Sequence, residues 1–308
     1  MTSKLDNTNI SRHLGQTSTY KSIYDPTLIV REPRKSNRKH LNIKDKSLPF
    51  VGNDTWNAYE VSGLTNSGLP VSGVAKIVYS CTNKYIVESK SLKLYFNSFN
   101  MTNLGDTSEE VRQAIQAMAS RDLTNLLETE VKVRVFSNRE ALNEHTLACK
   151  EWLIVSDAEE YITLEDDYPF DELEITKYSE APELLQVIDS EKEQTFYHSS
   201  LLKSNCRVTS QPDFGDVFIY IKGSKTIEPA SLMQYIVSFR DECHFHEEIC
   251  ETIYIRLWNL LNPDELAVKC LYTRRGGIDI CPERVSNIKL LHHTLSDSTV
   301  VHVKTPRQ

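Results

Sequence analysis

Apolar positions along this chain follow two periods, and the periods alternate in the same order twice. Residues 74–79 (VAKIVY) alternate and are β-branched, which predicts a strand with one buried face; 84–88 (KYIVE) predicts a second short strand. Leu92, Tyr95, Phe96 and Phe99 then recur at the spacing of one helical face. A longer helix is expected over 108–128. Asp106, Thr107 and Ser108 offer caps at its start, and Val111, Ile115, Met118 and Leu126 lie near one side. EVKVRVF (130–136) alternates again as a strand. In the second half, VFIYI (217–221) predicts a strand, and 231–239 and 247–261 predict helices, the latter stopped by Asn262 and Pro263. AVKCLYT (267–273) predicts a strand that runs into the turn Arg274, Arg275, Gly276, Gly277. The repeated order suggests an internal duplication. It rests on pattern alone, because the residue identities show no visible repeat.

Charge divides the chain where the periodicity fades. Residues 31–46 carry seven lysines and arginines against Glu32 and Asp45, so residues 1–45 read as a polar, basic arm, solvated and loosely packed. Residues 157–193 hold 14 acidic residues and two lysines, a net of −12 in a chain of −8, with strand content expected in YITLEDD and LEITKY. The expected organisation is therefore an arm (1–45), a first module (46–156), an acidic connection (157–193) and a second module (194–308). At 308 residues, 40% hydrophobic and 25% charged, the chain can bury real cores. Its acidic balance argues against a whole-chain footprint for nucleic acid. No apolar run suits a membrane span and the N-terminus lacks the apolar core of a secretory signal, so a cytosolic protein is expected. There its seven cysteines (Cys81, Cys149, Cys206, Cys243, Cys250, Cys270, Cys281) should be thiols, a metal set or a nucleophile.

Four segments could carry chemistry. Glu88, Ser89, Lys90 and Lys93 sit at a strand-to-helix junction. There a two-oxygen acceptor suits an amidine-like edge, and lysines beside a helix start suit phosphates; a capped surface helix would look the same. Cys206 is flanked by Lys203 and Arg207, with Asp213 returning through Gln211 and Pro212. That pair could serve as nucleophile and proton carrier, although a small buried thiol is the commoner fate of a lone cysteine. Cys243, His246 or Glu247, and Cys250 would share one face if the segment were helical, which could bind zinc or present His246 and Glu247 to a ligand. Arg275 and Gly276, in the RRGG turn, could fork onto a phosphate, as could any basic turn. No G-x-G-x-x-G fingerprint occurs.

Taken together, ESKSLKLYFNSFN (88–100), SLLKSNCRVTSQPDFGD (200–216), SFRDECHFHEE (238–248) and YTRRGGIDICPER (272–284) resemble the long, two-module form of the 7-cyano-7-deazaguanine reductase (QueF) family, and LPFVGNDTWNAYEVS near Leu48 adds to the likeness. The resemblance implies an α+β fold of tandem tunnelling-fold modules, antiparallel sheets backed by helices, assembled as a homodimer. It implies two NADPH-dependent reductions of a nitrile to a primary amine on the way to queuosine in tRNA, on a small deazapurine, with no metal and no direct nucleic-acid partner. By position, Cys206 matches the nucleophile that forms a thioimide and Asp213 the proton donor. Val87, Glu88, Ser89, His246 and Glu247 match substrate-binding positions, with His246 a second proton source; Ser89, Lys90, Arg275 and Gly276 match NADPH-binding positions. On this reading Arg275 serves the cofactor and leaves adduct formation at Cys206 largely alone. Arg207 and Phe214 depart from the family pattern. The competing readings are an amidine-forming enzyme of the same fold without NADPH, a zinc cyclohydrolase using Cys243, His246 and Cys250, and a non-catalytic RNA- or nucleotide-binding module.

Overall fold

The computed structural model describes residues 21–44, 47–141, 162–167, 173–191, 193–301, 305 and 308. The expected boundary near 156, and Cys149, lie outside the described residues.

The first half runs β1 (Arg31–Pro33), α1 (Lys35–His40), β2 (Val51–Leu64), β3 (Pro70–Ser80), β4 (Tyr85–Val87), α2 (Ser89–Ser98), α3 (Ser108–Leu127) and β5 (Val131–Phe136). Within the acidic stretch are β6 (Ile162–Thr163), α4 (Leu164–Asp167) and β7 (Val187–Asp189). The second half runs β8 (Gln194–Cys206), β9 (Pro212–Lys222), β10 (Lys225–Ile227), α5 (Pro229–Ser238), β11 (Cys243–His244), α6 (His246–Leu261), β12 (Glu265–Tyr272), β13 (Ile278–Val285) and α7 (His293–Ser296). One sheet spans both halves in the order β11-β8-β9-β12-β13-β2-β3-β5, with β6 alongside β8. All its long neighbours are antiparallel, and β13 joins the halves by pairing with β2 from Ile278↔Ala58 to Val285↔Val51.

Beneath this single sheet the core divides. α2 and α3 bury Leu92, Tyr95, Phe96, Ile115 and Leu123 against Trp56, Ile77 and Val133. α5 and α6 bury Leu232, Ile236, Ile249, Ile253 and Leu257 against Val217, Ile219 and Val268. α3 starts with a reciprocal cap, Thr107 Oγ1 accepting from Glu110 N and Glu110 from the Thr107 amide. Among the described residues, no two cysteines form a disulfide.

Three expectations are corrected. LEITKY is not a strand: residues 173–178 are irregular. The basic arm is not loosely packed along residues 31–41, because Arg34 and Arg38 are each only 2% exposed, held by Asp54 and Glu251. And the duplication is visible in residue identities. Glu88, Ser91, Leu92, Tyr95, Ser98 and Phe99 recur as Glu228, Ser231, Leu232, Tyr235, Ser238 and Phe239, with the same contacts. Glu88 accepts from the amides of Lys90 and Ser91, and Glu228 from those of Ala230 and Ser231. Ser91 Oγ accepts from Val30 N at 3.0 Å, and Ser231 Oγ from Gln186 N at 3.0 Å.

Candidate active site

Cys206 is the last residue of β8, where the chain turns back into β9. Its amide donates to Gln211 O (2.8 Å), and its carbonyl accepts from Ser210 N (2.9 Å), with Ser210 in the left-handed region at φ 54°. The register of the hairpin sets Ser204 opposite Asp213, which brings the carboxylate to the end of the strand that carries the thiol. Both are nearly buried, at 8% and 6% exposure. Burial pushes the Cys206 thiol up, but hydrogen bonds from the Thr209 side chain and backbone, from Arg275 and from the Val208 backbone outweigh it, so the thiol lies below its ordinary value.

Asp213 is shared. Arg275 Nη1 lies 2.8 Å from its Oδ1 and His246 Nε2 lies 3.4 Å from its Oδ2. His246 opens α6 and its ring rests on buried Tyr272, centroids 3.9 Å apart. Glu247 follows at 1% exposure; burial, and next Asp54, raise its carboxyl, and its Oε1 accepts no hydrogen bond among the described residues. Such a group can take a proton or accept from a ligand edge.

The first half supplies the facing wall. Val87 is buried in its core at 1% exposure, so only its backbone can meet a ligand. Glu88 caps α2, at 2.9 Å from Lys90 N and 2.6 Å from Ser91 N. Each carboxylate oxygen keeps a further lone-pair direction. The RRGG turn reaches this wall. Gly276, at φ +61°, would place a Cβ 3.5 Å from Lys93, and Gly277, at φ +78°, would drive one into Glu60 at 2.6 Å. Lys93 itself pairs with Glu60 at 3.3 Å, and the Arg274 guanidinium lies 3.3 Å above the Tyr59 ring. Lys93 of α2 and the turn glycines Gly276 and Gly277 thus line one pocket with Glu60, Phe96 and Asn97 where the halves meet.

The structure therefore brings Cys206, Asp213, Arg275 and His246 into one cluster with Glu247 beside them, and sets Gly276 against Lys93 of α2, the helix that Glu88 caps and that Ser89 and Lys90 open. It separates the zinc set: Cys243 is exposed in β11, ahead of the helix, while Cys250 is buried beneath α6 with its thiol donating to Val268 O. No group of three His, Cys, Asp or Glu side chains arranged to hold a metal occurs among the described residues. Sequence reasoning gave no role to Thr209, inside the quoted SLLKSNCRVTSQPDFGD stretch, or to Tyr272, at the head of the quoted YTRRGG stretch. It noted Arg207 as a cation flanking Cys206 and as a departure from the family pattern, without a partner. Arg207 pairs with Glu248 at 2.8 Å and lies 5.2 Å from the Phe245 ring. His244, beside it, is held between Glu242 (3.2 Å) and Glu248 (3.3 Å). Burial lowers His244, but those two carboxylates carry it up to about 9.

Fold and site together define an α+β protein of two similar halves joined in one sheet, with the buried Cys206 thiol clustered with Asp213, Arg275 and His246. The comparisons give its family. A model described as nitrile reductase, 7-cyano-7-deazaguanine-reductase N-term matches residues 20–135, and one described as QueF-like protein matches residues 212–289. The NADPH-dependent 7-cyano-7-deazaguanine reductase of Colwellia psychrerythraea is 36% identical over 280 residues, covering 90% of this chain and 92% of that protein. That of Legionella pneumophila (strain Paris) is 39% identical over 271 residues, covering 88% of each, and that of Dechloromonas aromatica 40% over 273 residues, covering 88% and 89%. The chain belongs to the NADPH-dependent 7-cyano-7-deazaguanine reductase family.

Proposed function

We propose that this chain reduces the nitrile of 7-cyano-7-deazaguanine to an aminomethyl group in queuosine biosynthesis, through a covalent bond to Cys206. The observation that carries the reading is a buried thiol held below its ordinary value, with Arg275 bridging it to Asp213. A nitrile carbon accepts hydride poorly. Addition of the Cys206 sulfur to that carbon, with the thiol proton passed to nitrogen through Asp213, gives a thioimide. A hydride to carbon and a proton to nitrogen then give a tetrahedral thioether, which expels the Cys206 thiolate and leaves an imine. A second hydride and proton complete the amine, with His246 placed against Asp213 to relay the proton. Glu247 and Glu88 would anchor the amidine edge of the base.

NADPH supplies the two hydrides. The residues at the RRGG turn fit it: Lys93 and Arg275 offer cations, Lys90 and Arg274 are their neighbours in sequence, and Gly276 leaves backbone uncovered beside Lys93. Because Glu88 already takes two α2 amides, phosphates would rest mainly on these side chains. Tandem tunnelling-fold modules, a homodimer, a cytosolic setting and no nucleic-acid partner complete the reading, supported by the family and by the duplicated helix motif. The test is intact-protein mass spectrometry with the nitrile and no NADPH. One added substrate mass is expected, absent in Cys206→Ala, with NADPH oxidation following when cofactor is added. An adduct that persists in Cys206→Ala refutes the assignment.

A further inference from the structure

Tyr79 lies near the end of β3, and the chemistry set out above gives it no part. In the register of the sheet it stands opposite Asp54 of β2, and its ring packs in the core beneath the first half. From the second half, Glu247 sits on α6 one turn before Glu251, so the two carboxyls share a face of that helix. Arg34 ties these groups together. It pairs with Asp54, its Nη1 lies 3.8 Å from Glu251, and its guanidinium carbon lies 5.9 Å from the centre of the Tyr79 ring. Tyr79 and Glu247 therefore approach each other across the seam between the halves. After burial, the charge of Glu247 is the strongest influence raising the phenol, and the Val87 amide reaches the same hydroxyl oxygen.

Both groups are sealed from water and incomplete. Tyr79 is 2% exposed and Glu247 1%. Among the described residues the Tyr79 hydroxyl donates to no acceptor and Glu247 Oε1 accepts no hydrogen bond, so neither satisfies the other. A donor and an acceptor buried side by side and left open are costly unless a ligand edge of complementary order completes them. The phenol is held well above its ordinary value, so it keeps the proton it would donate. A guanine-type base presents a carbonyl oxygen, a ring N–H and an exocyclic amine in a row. A carboxylate such as Glu247 takes the two donors and leaves the carbonyl in want of one. Glu88 is an acceptor too and cannot supply it. Arg34 Nη1 also lacks a hydrogen bond among the described residues, but the rest of that guanidinium is fixed on Asn83 and Asp54, behind the pair.

We propose, resting on the nitrile-reduction reading above, that Tyr79 is a specificity-determining residue: its hydroxyl donates to the ring carbonyl of the deazapurine while Glu247 takes the adjoining N–H, so that the pair selects a lactam. The test follows adduct formation at Cys206 by intact-protein mass spectrometry, without NADPH, as the nitrile concentration is raised. The full chain is given 7-cyano-7-deazaguanine or its 6-thioxo analogue, which keeps the N–H and the amine but offers sulfur, a weak acceptor. The wild type should need about tenfold more of the thioxo analogue for half-saturation. Tyr79→Phe, which removes only the hydroxyl, should need about tenfold more of the oxygen compound and treat oxygen and sulfur alike, with its maximal rate of adduct formation near that of the wild type. A merely structural role for Tyr79 would instead lower the maximal rate and the unfolding midpoint and leave the preference for oxygen in place. Unchanged half-saturation in Tyr79→Phe, or a preference for oxygen retained there, overturns the proposal. Should that variant fail to fold, the wild type decides: a tenfold preference for oxygen supports the proposal and parity overturns it. No adduct in the wild type with either nitrile refutes the reduction reading itself, and the proposal with it, a result distinct from all of these.

Discussion

At the scale of single residues, Arg275 changes most between sequence and structure. Its place in RRGG suggested a phosphate contact separable from the chemistry at Cys206, yet its guanidinium lies on Asp213 and bonds the thiol. A fixed cation there favours thiolate over thiol. Arg275→Ala should therefore slow alkylation of Cys206 by iodoacetamide roughly fivefold to tenfold at pH 7 and move the reaction's midpoint to higher pH, with no cofactor present. An unchanged alkylation profile would return Arg275 to the cofactor alone. His244 supplies a second reading at this scale. Its folded-state value, about 9, lies above the ordinary 6.5, so its pairing with Glu242 and Glu248 stabilises fully below 6.5 and is lost as pH rises through 9. Stability measured by urea should fall between those limits by something on the order of 2 kcal/mol, and His244→Asn should flatten that slope. The clustering of Cys206, Asp213 and Arg275 was legible because each sits in a short contiguous motif. Thr209 and the Arg207–Glu248 pair were not, because their roles arise only when the β8–β9 hairpin and the start of α6 meet.

Among the elements, the paired helices α2 and α5 are the most informative. Each begins with a glutamate accepting from two backbone amides of its first turn, and each carries a serine that reaches back to the glutamate's own carbonyl at 2.7 Å. Glu228 does this at the start of α5 in the second half, whereas Glu88 does it on α2, the helix that the RRGG turn meets at Lys93. Substituting either glutamate by alanine should cost about 1 kcal/mol of stability, the usual worth of such a cap. Only Glu88→Ala should also raise the Michaelis constant for the nitrile. Equal kinetic loss in both variants would reduce Glu88 to a structural cap. The elements that sequence reasoning named carry apolar, β-branched runs or a one-sided apolar helical stripe that shows even where, as at Lys76 and Lys269, the far face of the strand is buried too. The strands β2, β8 and β13 escaped that reasoning. β13 is buried at all eight positions, including Asp279, Glu283 and Arg284, and β2 buries Asp54, Thr55 and Asn57. On β2 and β13 ion pairs lie beneath the helices and the chain around α7 covers the other face, so polar and apolar residues alternate with no solvent side to betray the strand.

For the whole molecule, what binds the halves is a buried charge network as well as a shared sheet. Arg34 and Arg38 come from the arm, Asp54 from β2, Glu251 from α6 and Arg284 from β13, all at 2% exposure or less. Glu251 receives two bonds from Arg38, at 3.1 and 2.8 Å, and two from Arg284, at 3.1 and 2.9 Å, while Asp54 joins Arg284 at 2.9 Å and also pairs with Arg34. Three cations face two anions, and the field of Arg34 and Arg284 also reaches Glu247 at the site. Removing one charge from such a cluster leaves the others buried and underpaired, which costs about 3–5 kcal/mol, whereas exposed pairs are worth at most about 1 kcal/mol. Glu251→Gln should therefore lower the unfolding midpoint by roughly 10 °C, given about 2–4 °C per kcal/mol in domains of somewhat smaller size. Lys177→Ala, which removes the exposed pair with Glu183, should leave it within a degree or two. Because the network stands behind Glu247 and clamps the arm, β2 and α6 together, the Glu251 variant should also bind the nitrile more weakly while Cys206 still alkylates at its normal rate. A variant that loses thiol reactivity in step with stability would mean that the network supports the fold around the nucleophile rather than the geometry of the seam.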